Sequence, residues 1–497
     1  MDANVTKIIV LALYLIGMVI IGYVYYKKTS DFADYVLGGR KLGSWTAALS
    51  AQASDMSGWL LIGLPGAAYV AGIEAAWIAI GLGIGTYINW KVVALRLRSY
   101  TEVAGDSLTL SDYFENRFRD NTNILRLVSS IVIIVFFSVY TSAQFSAGAK
   151  LFETLMGIDY TVALVLGGAV IIAYTFLGGF MAVSFTDFIQ GMLMFFALIA
   201  VPFVMVAELG GFGTAFEELR QVDPNFLHLT KTTGGSGAIS FIAIASNLAW
   251  GLGYFGQPHI LARFMAIGST QQVKKARLIA MVWVTLSLTA AVFVGVFGRL
   301  YITDIADPEK IFMMSVDTLF FPILAGVLLA AILAASMSTA DSQLLVTASS
   351  ISEDIFKKYI KKDATDDDMI KIGRFAVIGI ALVAMVIAFD PNSSVFGLVS
   401  YAWAGLGAAF GPVIIASLFW RRTNKWGAIA GMISGAVTVI AWIQIAKVSS
   451  ATIFGLYELL PAFIISSISI YVVSLLTEKP SQEILDEYDD AVAKAIK

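Results

Sequence analysis

The sequence predicts an all-α polytopic membrane protein with thirteen transmembrane helices. Of its 497 residues, 58% are hydrophobic and only 14% are charged, and the mean hydropathy is +0.79. A soluble domain is about 25% charged, so this chain lacks the charge to cover several soluble domains. The apolar residues also form long uncharged blocks, and a helix needs roughly 20 such residues to span a bilayer. The strands of a membrane barrel would alternate in polarity instead.

Thirteen apolar segments are long enough to be spans, and we number them in chain order. The first has no A-x-A cleavage site, so we expect a retained helix rather than a signal peptide. The approximate bounds are 6–26, 45–66, 67–90, 127–149, 160–180, 187–207, 237–257, 278–298, 318–345, 374–389, 396–420, 427–446 and 453–476.

The placement of lysine and arginine predicts the orientation. With the N-terminus outside and the C-terminus inside, most of these residues fall in inner connections, as positively charged loops prefer. Lys27 and Lys28 belong to the first inner connection, and the segment from Arg263 to Arg277 supplies another four inner charges. If the chain had one span more or fewer, its lysines and arginines would no longer fall mainly on one side of the membrane.

Several classes of chemistry are excluded by composition. The chain has no cysteine, which excludes disulfides and thiolate catalysis. His228 and His259 are its two histidines, so a histidine-based metal cluster is not expected. A phosphate loop of the form G-x-x-x-x-G-K-[ST] is missing, which argues against ATP as the energy source. The basic residues are dispersed over the inner connections, so we expect no nucleic-acid binding, and no enzyme activity is predicted.

Polar residues and glycines interrupt span two. Residues 51–59 read AQASDMSGW, and GLPG follows at 63–66. Ionisable groups and broken helices are costly in hydrocarbon and persist mainly where they line a site. An unwound turn here would free carbonyl oxygens for a small cation. The alternative is a kinked helix packed through small residues, with Asp55 near an interface.

Span seven is interrupted in a similar way, by WGLGYFGQP at 250–258. The segment contains G-x-G-x-x-G, but no strand precedes it, so we reject a dinucleotide site. A helix break flanked by Trp250 and Tyr254 would instead wall a small substrate, and ordinary aromatic packing is the alternative. Two interrupted spans about two hundred residues apart indicate an inverted-repeat transporter.

Span nine carries hydroxyls and a carboxylate on one helical face. Ser338, Asp341 and Ser342 follow the i, i+3, i+4 spacing, and Thr339 lies one residue further round. Such a stripe suits sodium, and a packing seam of small residues is the alternative.

Two further features are weaker. Asp187, at the predicted start of span six, is either a carboxylate near the inner boundary or a helix cap. Tyr140 and Gln144 are i, i+4 neighbours in span four and form either a pocket wall or core packing.

These segments resemble the sodium/solute symporter family, and the similarity runs through nearly the whole chain. The motifs that carry it are long and specific. They are SDMSGWL at 54–60, GLPG at 63–66, GLGYFGQPHILARF at 251–264, ASMST at 335–339 and YAWAG at 401–405.

The resemblance implies a LeuT-like core of two inverted five-helix repeats in a bacterial cytoplasmic membrane. We divide the chain accordingly. The expected parts are an extra helix and inner loop (1–44), the first repeat (45–207), an external loop (208–236), the second repeat (237–420), two peripheral helices (421–477) and a cytoplasmic tail (478–497).

The resemblance also implies a site for each ligand. The sodium ligands would be the backbone carbonyls of Ala53, Met56 and Ala335 with the hydroxyls of Ser338 and Thr339. The residues near the substrate would be Ser57, Gly58, Trp59, Tyr140, Trp250 and Tyr254. Asp55 would support sodium dependence, Asp187 the inward ion path, and Arg40 gating at the inner end of span two.

Asp341 departs from the branch of the family that carries proline, where the residue after the counterparts of Thr339 and Ala340 is small and uncharged. We therefore hypothesise that Asp187, Ser338, Asp341 and Ser342 bracket a second cation or a proton. Two carboxylates close together rarely both ionise without such a partner.

The sequence thus predicts sodium-coupled uptake of L-proline by alternating access. Sodium is the expected coupling ion, with lithium as a substitute at an all-oxygen site, and the lipid bilayer is the expected surrounding. The sequence gives no sign of an obligate protein partner. Two alternatives stay open. One is a sodium symporter of the same family for pantothenate, a sugar or another amino acid, and the other is a transporter-like receptor.

Overall fold

The computed structural model describes residues 2–26, 31–177, 179–235 and 237–496. Lys27 and Lys28, which support the predicted orientation, lie outside these residues. Among the described residues, ten helices are long and apolar enough to cross a membrane. The other three predicted spans (two, five and seven) are divided or short, so the helices are consistent with thirteen spans.

Spans one to six comprise the following helices: Ala3–Tyr26 (one), Ser44–Leu61 and Gly63–Ala71 (two), Ala76–Ile88 continued by Asn89–Val93 and Ala94–Val103 (three), Ile124–Met156 (four), Tyr160–Leu177 (five) and Phe180–Glu208 (six). Spans seven to thirteen comprise Phe241–Ala249, Trp250–Gly256 and Pro258–Ala266 (seven), Thr270–Tyr301 (eight), Pro322–Ser349 continued by Ser350–Ile360 (nine), Asp366–Ile387 (ten), Val395–Phe419 (eleven), Lys425–Val448 (twelve) and Leu459–Leu476 (thirteen). Other helices of six or more residues are Phe32–Leu37, Leu110–Phe118, Phe212–Val222, Ile311–Leu319 and Gln482–Ile496.

Several helices run well beyond the apolar segments that predicted them. Span three continues to Val103 and span nine to Ile360, through residues that we expected in polar connections. Span six begins at Phe180, so Asp187 lies two turns inside the helix and the helix-cap interpretation is wrong. Hydropathy detects the part of a helix that crosses hydrocarbon, whereas the polar ends stay helical because they pack against neighbouring connections.

The two repeats pack in equivalent ways. Spans two, three, seven and eight form one group, and spans four, five, nine and ten form another. Span six packs on spans two, eight and nine, while span eleven packs mainly on spans seven and four and on the additional spans twelve and thirteen. The contacts of span six with spans two and nine correspond to those of span eleven with spans seven and four. These corresponding contacts are the ones that an inverted repeat requires.

Spans two and seven are both broken, but by different backbone devices. Ser57 has φ 54° and ψ −176°, a conformation that is nearly restricted to glycine and strained for serine. In span seven the helix tightens into a 3₁₀ turn over Trp250–Gly256, and Gln257 is extended before Pro258 starts the next helix. A Cβ on Gly253 would lie 1.9 Å from the Trp403 indole nitrogen. That glycine therefore permits close packing on span eleven.

The C-terminal tail contains a helix that packs on the rest of the chain. Its helix Gln482–Ile496 packs on the C-terminal end of span three, with Tyr488 buried against Arg117 and Tyr100. The Tyr488 ring lies 5.3 Å from the Arg117 guanidinium and 6.1 Å from the Tyr100 ring. An ion pair of 2.5 Å also joins the tail's Glu487 to Arg119. The apolar residues of this helix recur on one face, and this pattern in the sequence is typical of a helix that packs on other helices.

Replacing Tyr488 by alanine should release the C-terminal helix from span three. The change removes a ring packed on a guanidinium and should weaken docking by about 3 kcal/mol. Hydrogen exchange should then become faster across 482–496. Asp490→Ala is the matched control, because Asp490 is exposed. Equal protection in the Tyr488→Ala variant and the unmodified protein would contradict the docked arrangement.

Candidate functional site

A small cavity lies between the two helix breaks. Its walls come from spans two, three, four, seven and eleven. The lining residues are Asp55, Met56, Trp59, Leu82, Tyr140, Trp250, Tyr254, Val399 and Trp403. Leu82, Val399 and Trp403 were not among the sequence candidates. Trp403 lies within the YAWAG motif, which could have pointed to it, whereas Leu82 has no such signal.

An aromatic cluster covers one side of the cavity. Trp59 and Trp250 stack with their ring centroids 5.2 Å apart, and Tyr457 stacks on Trp250 at 5.3 Å. Phe396, near the start of span eleven, lies 5.3 Å from Trp250 and 6.2 Å from Trp59. In the predicted orientation these rings lie on the outer side. A solute entering from outside would have to pass them.

Asp55 connects the two broken helices. Its side chain is buried, and Tyr254 of span seven donates a hydrogen bond of 2.6 Å to its Oδ2. Tyr140 of span four donates to the Asp55 backbone carbonyl at 3.2 Å. The tyrosine hydroxyls that line the cavity therefore hold span two in place as well as forming its wall.

Ser57 and Gly58 do not line the cavity, although the resemblance implied that both lie near the substrate. The Gly58 amide donates to Gln144 Oε1 of span four at 3.0 Å. A Cβ on Gly58 would lie 2.8 Å from Ala147 Cβ, so this glycine faces the second helix group. The Ser57 hydroxyl accepts a hydrogen bond from the Trp59 amide and caps the second half of span two.

Four of the five expected sodium ligands meet between spans two and nine. The Ser338 hydroxyl donates to the Ala53 carbonyl at 2.8 Å and lies 3.1 Å from the Ala335 carbonyl. The Thr339 hydroxyl lies 3.3 Å from the Ala53 carbonyl. All four residues are fully buried. These neutral oxygens are the kind of donor that suits an alkali cation at an unwound helix. Met56, the fifth, lines the cavity.

Asp187 forms a buried ion pair that the sequence analysis missed. Arg263 lies inside the helix Pro258–Ala266, so counting it as a charge of an inner connection was wrong. Its Nη2 lies 3.1 Å from Asp187 Oδ2 and 2.5 Å from the Ser342 hydroxyl, and neither charged side chain is exposed. Ser50 also donates to Asp187 at 2.6 Å. A fixed positive charge therefore lies between two residues of the expected second cation site.

Asp341 is close to the same region. It is fully buried, and Tyr14 of span one lies within electrostatic reach of both Asp187 and Asp341. Gln190 donates to the Tyr14 hydroxyl at 3.1 Å. Ser338, in contrast, faces Ala53. Of the four residues proposed for a second cation, Asp187, Asp341 and Ser342 thus share a neighbourhood, and Ser338 belongs to the oxygen cluster.

Arg40 joins the connection before span two to the end of span seven. Its guanidinium contacts Asp106 Oδ1 at 2.8 Å and the Met265 carbonyl at 2.7 Å. Burial lowers the pKa of Arg40, and the neighbouring Asp106 carboxylate opposes that shift. The Leu42 amide donates to the Ala266 carbonyl at 3.1 Å, so the start of span two and the end of span seven are tied together.

Residues 35–435 match the model of the family described as "Sodium:solute symporter family". The chain belongs to the sodium:solute symporter family. It is 50% identical over 477 residues to the high-affinity proline transporter PutP of Bacillus subtilis (strain 168), covering 95% of this chain and 98% of that protein. It is 47% identical over 501 residues to the sodium/proline symporter of Escherichia coli (strain K12), covering 99% and 97%.

Solved structures confirm the fold class of this family member. A Na⁺-coupled sialic acid symporter, substrate-bound and outward-open, matches 97% of this chain and 100% of its own, with a TM-score of 0.80 and 20% identity. The nucleobase-cation-symport-1 family transporter MHP1, closed with bromovinylhydantoin bound, matches 92% and 98%, with a TM-score of 0.56 and 12% identity. The LeuT-like architecture predicted from the sequence is therefore correct.

Breaking the pair of Asp187 and Arg263 should destabilise this symporter strongly. Asp187→Asn leaves a guanidinium buried without its counter-ion, and such a change costs about 3 kcal/mol. The thermal midpoint of the purified protein in detergent should fall for Asp187→Asn and for Arg263→Gln, and the double variant should lose less than the sum. Lys361→Gln, which breaks a partly exposed pair with Asp368, should change it little. Single variants as stable as the unmodified protein would contradict this.

Proposed function

We propose that this protein carries L-proline into bacterial cells together with sodium, by alternating access. The observation that most directly supports this proposal is that one broken helix, span two, supplies both a wall of the aromatic cavity and a carbonyl of the oxygen cluster. The relatives named as proline transporters are 50% and 47% identical over nearly the whole chain, which supports the choice of solute and ion.

Sodium is bound in this proposal by the oxygen cluster together with Met56. Its ligands are the carbonyls of Ala53, Met56 and Ala335 and the hydroxyls of Ser338 and Thr339. The two hydroxyls now bond to carbonyls and would turn their hydrogens away, offering lone pairs to the ion. Sodium would then hold spans two and nine together and fix the helix break. A site made only of neutral oxygens also accepts lithium in this proposal.

L-Proline binds at the position of the cavity in this proposal, with its ring enclosed by Trp59, Tyr140, Trp250 and Tyr254. The cavity as it stands has room for about one water molecule, so these walls must move apart to admit the solute. The Trp59 indole N–H is buried and has no hydrogen-bond partner among the described residues, so it is available to the substrate carboxylate. Ser57 and Gly58 stay in the proposed set because they begin the outer half of span two. The positive end of that helix dipole favours a carboxylate.

Transport follows from a movement of spans two, three, seven and eight against spans four, five, nine and ten. In the proposed orientation, with the N-terminus outside and the C-terminus inside, the contacts of Arg40 close the inner side and must break for release. Asp187 then lies on the inward ion path.

One charge crossing about 100 mV contributes roughly 2.3 kcal/mol, which supports about fiftyfold accumulation before any sodium gradient. The divisions at 45–207 and 237–420 delimit the two proposed repeats.

Uptake of radiolabelled L-proline into proteoliposomes tests the proposed function. An inward sodium gradient should drive accumulation, and excess unlabelled proline should abolish it. Sodium-driven uptake of pantothenate, a sugar or another amino acid, without proline uptake, would replace the substrate and leave the ion site. A protein that transports none of these solutes would favour the receptor interpretation.

Thr339→Ala should raise the sodium concentration for half-maximal uptake about tenfold, because it removes one ligand oxygen worth roughly 1.4 kcal/mol. Thr347→Ala is the matched control. Thr347 lies on the same helix and is equally buried, and among the described residues its hydroxyl bonds only to the Gln343 carbonyl of its own helix. Equal effects of the two substitutions on sodium dependence would count against the ligand assignment.

A second cation or a proton is proposed near Asp187, Ser338, Asp341 and Ser342. Asp341→Ala should lower the number of cations carried with each proline, measured as the ratio of sodium or proton flux to proline flux. Arg263 already neutralises Asp187, so Asp341 supplies the remaining negative charge. A ratio of one sodium per proline that is the same in the unmodified protein and in Asp341→Ala would exclude the second site.

A further inference from the structure

The break in span two directs two backbone groups towards span four. At Ser57 the chain leaves the helical conformation, so the Gly58 amide points out of the helix. The Trp59 amide bonds to the Ser57 hydroxyl, and the Asp55 carbonyl faces outward as well. Unpaired backbone groups inside a membrane protein are costly, because no bulk water is present to bond them.

Tyr140 and Gln144, one turn apart on span four, satisfy both groups. The Tyr140 hydroxyl donates to the Asp55 carbonyl at 3.2 Å, and Gln144 Oε1 accepts from the Gly58 amide at 3.0 Å. Gln144 Nε2 also donates to the Tyr140 carbonyl at 3.3 Å, which anchors the carboxamide to its own helix. Both side chains are buried. The polar atoms on each side of the break thus receive partners from one face of span four.

We propose that Gln144 is a positioning residue for the sodium site. It holds Gly58 against span four and so fixes the carbonyls of Ala53 and Met56, which lie five and two residues before Gly58 along span two. The inference rests on the proposed function and adds a residue that no sequence motif assigned. Tyr140 lines the cavity, whereas Gln144 does not. Loss of Gln144 therefore removes no side chain from the cavity wall. At saturating sodium the bound ion fixes the break in this proposal, so the solute still meets an ordered span two.

We therefore expect loss of Gln144 to lower the affinity for sodium and to leave the affinity for proline at saturating sodium nearly unchanged. Gln144→Leu has nearly the same size but no acceptor, and it leaves the Gly58 amide unpaired. The half-saturating sodium concentration should rise about tenfold in that variant. The KM for proline at saturating sodium should change by less than about twofold. Gln144→Glu keeps an acceptor oxygen and should restore most of the sodium affinity.

Ser142→Ala is the matched control on the same helix. The Ser142 hydroxyl bonds to the Val139 carbonyl within span four and contacts nothing in span two through a hydrogen bond among the described residues. This variant should keep the sodium affinity of the unmodified protein. If Gln144→Leu does not accumulate in the membrane, Gln144→Ala carries the same expectation.

Two measurements distinguish failure of this inference from failure of the proposed function. Proteoliposome uptake gives the sodium and proline dependence, and sodium titration of tryptophan fluorescence in the purified protein reports ion binding without any solute. Unmodified protein that shows no sodium-driven proline uptake would overturn the proposed function. An unchanged sodium midpoint in both Gln144→Leu and Gln144→Ala would overturn the role of Gln144. A raised proline KM with unchanged sodium affinity would also overturn it, and would make Gln144 a substrate contact.

Discussion

Every amide and carbonyl that a helix break exposes in a bilayer must find a partner inside the protein, because hydrocarbon offers none. This constraint organises the centre of the molecule. The break at Ser57 is stabilised by Tyr140 and Gln144 of span four and by the serine's own hydroxyl. In span seven, the Trp250 carbonyl accepts a hydrogen bond from the Trp403 indole at 2.8 Å. The cavity lies where these stabilising side chains converge.

Two environments that differ in charge lie beside spans two and nine. The oxygen cluster around Ala53 is neutral, so a monovalent cation there would add one charge to an uncharged set of donors. The region of Asp187 already contains the Arg263 guanidinium. A mobile cation in that second region must use Asp341 or displace the arginine, and displacement would leave a buried charge unpaired. The neutral cluster is therefore the less costly place for a coupling ion to enter and leave.

The sequence predicts the spans, the two breaks and most of the cavity wall, because each is encoded locally by hydropathy, glycines or a short motif. It does not predict the partners of those residues. Tyr140 and Gln144 lie 85 and 86 residues from the groups they bond. Their i, i+4 spacing does not reveal these partners and so could not decide between a pocket wall and core packing. Arg263 was predicted to lie in a connection because charged residues are usually found in loops. A charged residue can instead lie inside a helix when a buried carboxylate pairs with it. Its counter-ion is 76 residues away and invisible to local patterns.

Coupling between ion and solute needs no long relay in this arrangement. The Ala53 carbonyl of the oxygen cluster and the Trp59 indole of the cavity are six residues apart on one helix, on opposite sides of Ser57. The backbone at Ser57 is strained, and each ligand would act on the same pair of torsion angles. In the proposed arrangement, a cation bridging Ala53 to span nine would orient one side of the break, and a solute against Trp59 would orient the other. Binding of one would therefore lower the cost of ordering the break for the other, and this reciprocity is what symport requires.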